Sequence, residues 1–167
     1  AVSDRGLAEK TVFVVTADHG EELGEHKNYY YHACSIYEPT LRVPLIVRLP
    51  HRRHAGRRVS EIVPLIHPAP TLLSLLGLQV PATMDGRPLV DLIAGEDGAA
   101  EQFTHAIAEY YWPKLGEIIS LRTSEWRYIY NPDRIATKCK PKGNYFRLDI
   151  DELYDRSADP GERRNVA

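Results

Sequence analysis

Short apolar runs separated by polar segments mark the first half of the chain. Residues 11–17, Thr-Val-Phe-Val-Val-Thr-Ala, are rich in β-branched side chains and lack strict alternation, which predicts a strand covered on both faces. A second strand is predicted at residues 43–48, where Pro44 indicates a first residue or an edge position. The polar and aromatic residues 20–35 between them predict a long loop. The first strand ends at Asp18-His19-Gly20, and ligands of open α/β sheets bind just outside such carboxyl ends.

The second half of the chain begins with helical signals and continues with alternating ones. Residues 68–77 predict a helix that starts with proline and ends at a glycine, and residues 89–94 predict one more helical turn. Beyond the Gly-Glu-Asp-Gly break, aromatic and alternating segments predict antiparallel strands, at residues 105–111, 118–123 and 126–130. A loop, a strand and a short C-terminal helix are then predicted at residues 132–144, at residues 148–154 and after Asp159-Pro160. This succession predicts an α/β fold that ends in an antiparallel sheet.

Composition and charge narrow the function classes. The 167 residues are 43% hydrophobic and 26% charged, the balance of a globular domain with a real core. A net charge of -2 gives no broad attraction for nucleic acid or an anionic membrane, and no stretch approaches the roughly 20 apolar residues of a membrane span. The basic run at residues 51–58 predicts a solvated turn, with a binding patch as the alternative. Cys34 and Cys139 are too few to indicate a disulfide framework, although one disulfide stays open, as does the cellular location.

Asp18 and His19 are the first candidates for chemistry. On a regular strand their side chains would point to opposite faces, so both reach one point only where the strand ends, and Gly20 permits a turn there. A carboxylate and a neutral imidazole together suit a divalent cation, from calcium or magnesium to manganese or zinc. From these two residues alone, two interpretations stay open: a pair of metal ligands, or a structural turn in which the aspartate caps the backbone.

The residues around this pair form ordered strings. The first is Thr-Ala-Asp-His-Gly-Glu-Glu-Leu-Gly-Glu-His at 16–26, followed by His32, Ser35-Ile36-Tyr37-Glu38 and Arg42-Val43-Pro44-Leu45-Ile46-Val47. Further strings are Pro70-Thr71-Leu72-Leu73 with Gly77, Asp85-Gly86-Arg87-Pro88-Leu89, Glu152-Leu153-Tyr154-Asp155, and Asp159-Pro160 with Glu162 and Asn165. In this order and spacing they closely resemble the sulfatase family of the alkaline-phosphatase-like superfamily, over nearly the whole chain.

The resemblance implies a fold and a site. It implies the C-terminal part of an alkaline-phosphatase-like α/β sandwich, with residues 1–100 in the catalytic core and residues 101–167 as a small antiparallel β subdomain with a terminal helix. It implies that Asp18 and His19 bind a divalent metal, usually calcium, with manganese, magnesium or zinc as alternatives. A hydrated formylglycine would then attack the sulfur of a sulfate ester of a small molecule or carbohydrate.

His32 is the candidate catalytic residue. Many relatives carry a histidine six residues before the acidic residue of the Ser-x-Tyr-Glu string, and its counterpart contacts the sulfate or phosphate group. A loop histidine that faces water is the alternative. Lys27-Asn28 departs from the glycine expected there. Three acidic residues nearby predict a hydrated face rather than catalytic acids, namely Glu21, Glu22 and Glu25.

The nucleophile of the resemblance is absent from these residues. Neither cysteine stands in the Cys/Ser-x-Pro/Ala-x-Arg motif that yields formylglycine. We therefore expect the nucleophile and an early acidic pair to lie upstream in a longer protein, of which this chain is the C-terminal part or a truncated product, without turnover alone. Two alternatives stay open: a phosphonate or phosphodiester hydrolase or phosphoethanolamine transferase of the same superfamily, and a non-catalytic remnant. The oligomeric state is not predicted.

Overall fold

Internal contacts divide the chain into two compact units. The computed structural model describes residues 2–27, 29–32, 35–113, 116–133 and 150–167. The first unit comprises Ala1–Ala17 and Pro44–Thr104, and the second comprises Asp18–Val43 and His105–Ala167. One junction lies close to the boundary expected at residue 100, whereas residues 18–43 belong with the C-terminal sheet. The division into core and subdomain at residue 100 stays a prediction.

The described residues contain short strands and three short α-helices. Strands β1 to β8 span Phe13–Thr16, Glu22–Leu23, Tyr29–Tyr31, Leu45–Arg48, His105–Trp112, Gly116–Thr123, Trp126–Tyr130 and Asp151–Asp155. Helices α1 to α3 span Glu38–Leu41, Pro68–Leu75 and Val90–Ala94. The helices predicted at residues 68–77 and 89–94 and the strands predicted before residue 131 are thereby confirmed. The strand predicted at residues 148–154 is confirmed in its described part, and most of the loop predicted at residues 132–144 lies outside the described residues.

In the first unit, β1 and β4 form a two-stranded antiparallel ribbon. Phe13 lies opposite Arg48, and Val15 lies opposite Ile46. The expectation that β1 is covered on both faces is wrong for the described residues, since Val15 is 57% and Ile46 61% exposed. Within the described part of the chain β4 is the only strand paired with β1, so these two side chains form an open apolar patch.

The hydroxyl of Thr71 joins α2 to the segment before α3. It donates to His67 O at 2.6 Å and accepts the Leu89 N–H at 2.9 Å. Pro68 stands at the start of α2 and Gly77, with φ +70°, follows its end, as the asymmetry of helix termini predicts. The core of this unit consists of Leu89, Leu92, Ala99 and Phe103, with Leu45, Val63 and Ile93 packed against it.

The second unit is a four-stranded antiparallel sheet with residues 18–43 on one face. Its strand order is β5-β6-β7-β8. In β7 the alternation of buried and exposed positions turns Arg127 and Ile129 inward, as the period of a strand requires. The apolar core is built from Ile36, Tyr37, Ile118, Ile129 and Tyr154. This mixed architecture confirms the predicted α/β fold with an antiparallel C-terminal sheet.

Two segments of the second unit differ from expectation. Residues 20–35 contain a short hairpin, β2 with β3, rather than only a loop. The residues after β8 form turns and not the predicted terminal helix. The Asp155 carboxylate accepts the N–H groups of residues 157 and 158, and the Asp159 carboxylate accepts those of residues 163 and 164; such bonds compete with helix formation. No helix of the described residues has the length and apolar character to cross a membrane.

Candidate functional site

A close backbone approach holds the start of the site segment, residues 18–32, against α1. The Gly20 N–H donates to Thr40 O at 2.7 Å. A Cβ on Gly20 would lie 2.0 Å from Pro39 O, far inside contact distance, so only glycine fits. From the sequence, Gly20 was expected to permit a turn. In the structure, glycine is required there because the backbone of α1 packs against it. Asp18 and His19 directly precede this anchored residue.

Asp18 and His19 present a carboxylate and an imidazole to solvent. Their side chains are 89% and 43% exposed. The His19 N–H donates to Asp18 Oδ1 at 3.0 Å and thereby holds the pKa of the Asp18 carboxyl below its usual value. His19 Nδ1 lies 2.8 Å from Gly20 O. Because a carbonyl oxygen only accepts, Nδ1 carries the proton and the lone pair lies on Nε2, 3.8 Å from Asp18 Oδ2.

His32 joins this pair through a ring contact. Its imidazole stacks on that of His19 with 3.9 Å between centroids and 24° between planes. His32 Nδ1 lies 3.1 Å from Glu21 Oε2, so the carboxylate orients the second ring as the Gly20 carbonyl orients the first. The candidate residues Asp18, His19 and His32 therefore come together at one exposed place, with Glu21 as an additional member.

The donor atoms of Asp18 and His19 fit a divalent cation. Bonds of about 2.0 to 2.6 Å to nitrogen and oxygen let one ion reach two atoms that lie 3.8 Å apart. Both side chains are oriented by backbone groups, which is typical of metal ligands. Within the described residues no group of three or more His, Cys, Asp or Glu side chains has the arrangement of a metal site. The pair is a two-donor set.

Beneath the exposed site lies a buried carboxylate, Glu22. Its side chain is 0% exposed, which corrects the expectation of a hydrated face. It accepts a hydrogen bond from the Ser35 hydroxyl and lies 3.8 Å from His26 Nδ1. His26 Nε2 in turn lies 2.7 Å from Glu162 O. Through its bond to Ser35, Glu22 connects the two ends of the segment 22–35, which contains His32.

An ionic cluster fixes α1 to the C-terminal sheet. Arg127, 2% exposed in its side chain, donates to the Glu38 carboxylate at 2.6 Å and also to Glu162. Arg156 bonds the same two carboxylates at 2.9 and 2.8 Å. Burial alone would raise the pKa of the Glu38 carboxyl, but the guanidinium groups, with Arg122 among them, outweigh burial and hold that pKa below its usual value.

A third polar contact involves two tyrosines and one carboxylate. The hydroxyls of Tyr37 and Tyr154 both donate to Glu152 Oε2, at 2.8 and 2.5 Å. Burial, followed by the nearby Glu152 charge, raises the pKa of Tyr37 far above its usual value. The His26 ring stacks on Tyr37 at 3.7 Å between centroids. These buried bonds connect the Ser-x-Tyr-Glu string to β8.

Sequence reasoning did not find the buried polar residues below the site. Their signal is alternation: residues 127, 129 and 152, 154 fall on inward positions of β7 and β8, so a charged residue there needs a buried partner. The alternation predicts that Arg127 and Glu152 point inward, but it does not reveal which distant residues pair with them. The two cysteines lie outside the described residues.

Comparisons with known proteins agree with these strings. Residues 24–167 match the family described as N-sulphoglucosamine sulphohydrolase, C-terminal. Arylsulfatase K of Gallus gallus is 31% identical over 173 residues, and Delta 4,5-hexuronate-2-O-sulfatase of Bacteroides thetaiotaomicron is 29% identical over 160 residues. These matches cover 100% and 94% of this chain. The chain spans 30% of the length of each of these curated relatives.

Solved structures show the same fold. The structure of BT4656 in complex with its substrate D-glucosamine-2-N,6-O-disulfate has a TM-score of 0.79 and 27% identity, over 99% of this chain and 31% of that chain. The structure of BT1596, a 2-O GAG sulfatase, has a TM-score of 0.74 and 25% identity, over 95% and 32%. The predicted C-terminal part of a sulfatase fold is confirmed, and the chain belongs to the N-sulphoglucosamine sulphohydrolase C-terminal family of sulfatases.

Proposed function

We propose that this chain supplies a metal-binding and sulfate-contacting part of a sulfate ester hydrolase. The observation that supports this most directly is the meeting of Asp18, His19 and His32 at one exposed place, with rings 3.9 Å apart. Membership of a sulfatase family gives this chemistry its reaction class. The nucleophile, a formylglycine in sulfatases, is proposed to come from sequence upstream of this chain.

Asp18 and His19 are the proposed ligands of a divalent cation, with calcium as the first choice. The Asp18 carboxylate is ionised at neutral pH, as an ordinary aspartate is, and the His19 N–H lowers its pKa further. His19 offers Nε2 because Nδ1 donates to Gly20 O. A bound cation offsets the negative charge of the sulfate group and orients it. Both ligands are presented by backbone that Gly20 anchors on α1.

His32 is the proposed contact to the sulfate group. Its ring is oriented by Glu21 and lies on the ring of His19, so a sulfate group near the metal pair would meet it. We propose a sulfated carbohydrate as the substrate class. This is supported by BT4656, whose substrate is a glucosamine disulfate, and by the relative that is a hexuronate 2-O-sulfatase.

Metal binding by this chain is the direct test. Calorimetric titration with Ca²⁺ and with Mn²⁺ should show binding, and Asp18→Asn and His19→Ala should each weaken it by about tenfold or more, because each removes one of two donors. The control is His54→Ala, an exposed histidine of the first unit. Equal affinity in all four proteins would contradict the assignment of Asp18 and His19.

The reaction class is tested on a longer protein that contains this chain and its upstream sequence. It should hydrolyse an aryl sulfate faster than the matched aryl phosphodiester, and Asp18→Asn should lower the sulfatase rate. A faster phosphodiester reaction would favour the phosphodiester hydrolase alternative. The present chain alone should not turn over either substrate, because it lacks the nucleophile motif.

A further inference from the structure

A dense group of positive charges lies in the first unit, at some distance along the chain from the candidate site. The segment His51-Arg52-Arg53-His54-Ala55-Gly56-Arg57-Arg58, here called the basic loop, holds four arginines and two histidines and no acidic residue. All eight residues are exposed. The chain as a whole has a net charge of -2, so this concentration does not follow from overall composition.

The backbone of the basic loop is held in tight turns. Arg53 N–H donates to Pro50 O at 3.3 Å, and Ala55 N–H donates to Arg52 O at 3.1 Å. His51, Arg52 and His54 have φ of 54°, 53° and 56°, a conformation that side chains other than glycine rarely adopt. Such strain at exposed residues is a reason to look for function.

Few of the charges are used by the fold. Arg57 Nε donates to Leu92 O at 3.2 Å and anchors the loop on α3, and His51 lies 3.5 Å from Glu9. Within the described part of the chain, the side chains of Arg52, Arg53 and Arg58 make no ion pair or hydrogen bond. Three guanidinium groups therefore project from an anchored loop without carboxylate partners there.

We propose that the basic loop is a docking surface for a sulfated polysaccharide. The planar guanidinium fork bonds sulfate and carboxylate groups with two parallel hydrogen bonds, and short basic runs of this kind are typical of heparin-binding and nucleic-acid-binding patches. A polysaccharide is favoured over nucleic acid because the proposed function of the chain is hydrolysis of a carbohydrate sulfate ester, and the inference rests on that proposal for this choice. The loop would hold the polymer, while the sulfate ester would be hydrolysed at the site around Asp18.

The test measures binding of the full chain to immobilised heparin over a series of salt concentrations. The triple variant Arg52→Ser/Arg53→Ser/Arg58→Ser should bind heparin at least about tenfold more weakly than the unsubstituted chain. Its affinity should also depend less on salt concentration, because charge contacts that salt screens have been removed. The triple Arg→Lys variant at the same positions should bind with an affinity between those of the unsubstituted chain and the serine variant, because lysine keeps the charge but lacks the two-pronged guanidinium. The matched control Arg5→Ser/Arg163→Ser/Arg164→Ser removes the same charge from exposed positions elsewhere and should stay within about twofold of the unsubstituted chain.

Three outcomes would overturn the proposal. One is an equal loss in the control, which would indicate general charge attraction. Another is equal affinity for duplex DNA, with the same loss in the loop variant, which would indicate an unspecific polyanion surface. The third is heparin binding that the loop variant leaves unchanged.

The docking proposal and the proposed function fail separately. His19→Ala should lose divalent-metal binding and keep heparin binding, whereas the loop variant should do the opposite. If His19→Ala loses metal binding and binds heparin normally, the docking proposal for the basic loop is unaffected. Absence of metal binding in the unsubstituted chain would count against the site and not against the loop.

Discussion

At Gly20, a hydrogen atom in place of a methyl group lets the site segment lie against α1. Gly20→Ala should lower the free energy of unfolding by about 1 to 3 kcal/mol, because the new Cβ would lie 2.0 Å from Pro39 O. Denaturant unfolding measures this. Gly161→Ala is the matched control, since the nearest atom to its Cβ is 3.4 Å away. The same loss in both variants would contradict a steric role for Gly20.

His67 is a buried histidine with a defined tautomer. Its Nδ1 accepts the Arg87 N–H at 3.0 Å, and its ring meets the Phe103 ring at 5.2 Å between centroids. Burial, with the nearby Arg87 charge, lowers the pKa of His67 below its usual 6.5. The folded chain therefore binds this proton more weakly than the unfolded chain does.

Stability should consequently depend on pH through His67. The contribution is present above pH 6.5, the unfolded pKa, and is lost as the pH falls through the lowered folded pKa. The free energy of unfolding should decrease between pH 7 and pH 5, and this decrease should be smaller in His67→Asn, which keeps an acceptor for Arg87. His54→Asn, an exposed control, should retain the full decrease. An unchanged pH profile in His67→Asn would refute the assignment.

Among the secondary-structure elements, α1 depends on ionic contacts with β7. Arg127→Met should destabilise the fold by about 3 to 5 kcal/mol, because it removes the more buried of the two arginines that pair with the Glu38 and Glu162 carboxylates and leaves only Arg156 to bond both. Arg42→Met should cost at most about 1 kcal/mol, since Arg42 is 73% exposed and 3.7 Å from Glu38. Thermal and denaturant unfolding compare the two. Similar losses would mean that exposure does not govern these pairs.

Strands and helices with strong local signals were predictable. Alternation along β5 to β7 and the proline and glycine limits of α2 depend on residues close in sequence. The C-terminal turns were missed because the bonds from Asp155 and Asp159 to following N–H groups depend on side-chain geometry. The exposure of β1 was missed because strand neighbours are a property of the sheet and not of an apolar run.

The exposed candidate site was more predictable than its support. Asp18, His19 and His32 stand in strings that resemble sulfatases, and they do lie together. Glu22 looked like one more loop acid, because neither its neighbours nor its spacing reveals that the Ser35 hydroxyl and His26 surround it. The bonds from Arg127 to Glu38 and from Tyr37 to Glu152 span 89 and 115 positions, and partners so far apart leave no local pattern in one sequence.

For the whole molecule, the open patch of Val15 and Ile46 has a consequence in solution. The two side chains lie directly opposite each other on β1 and β4 and are 57% and 61% exposed, and exposed apolar strands promote association. The isolated chain should self-associate with rising concentration, and Val15→Thr/Ile46→Thr should reduce this in sedimentation velocity. Val166→Thr, at a 46% exposed residue, should not. A monomer at all concentrations would contradict the prediction.

The contact between His26 and the Glu162 carbonyl also concerns the order in which the protein is made. The two residues are 136 positions apart. The Glu38 N–H donates to the carboxylate of Glu162, which lies 124 positions later in the chain. At a translation rate of about 5 to 20 residues per second, the hairpin that carries His32 spends on the order of ten seconds without its support. These supporting bonds can form only after β8 and the turns beyond it have been synthesised, so the residues around His32 emerge before the contacts that hold them in place.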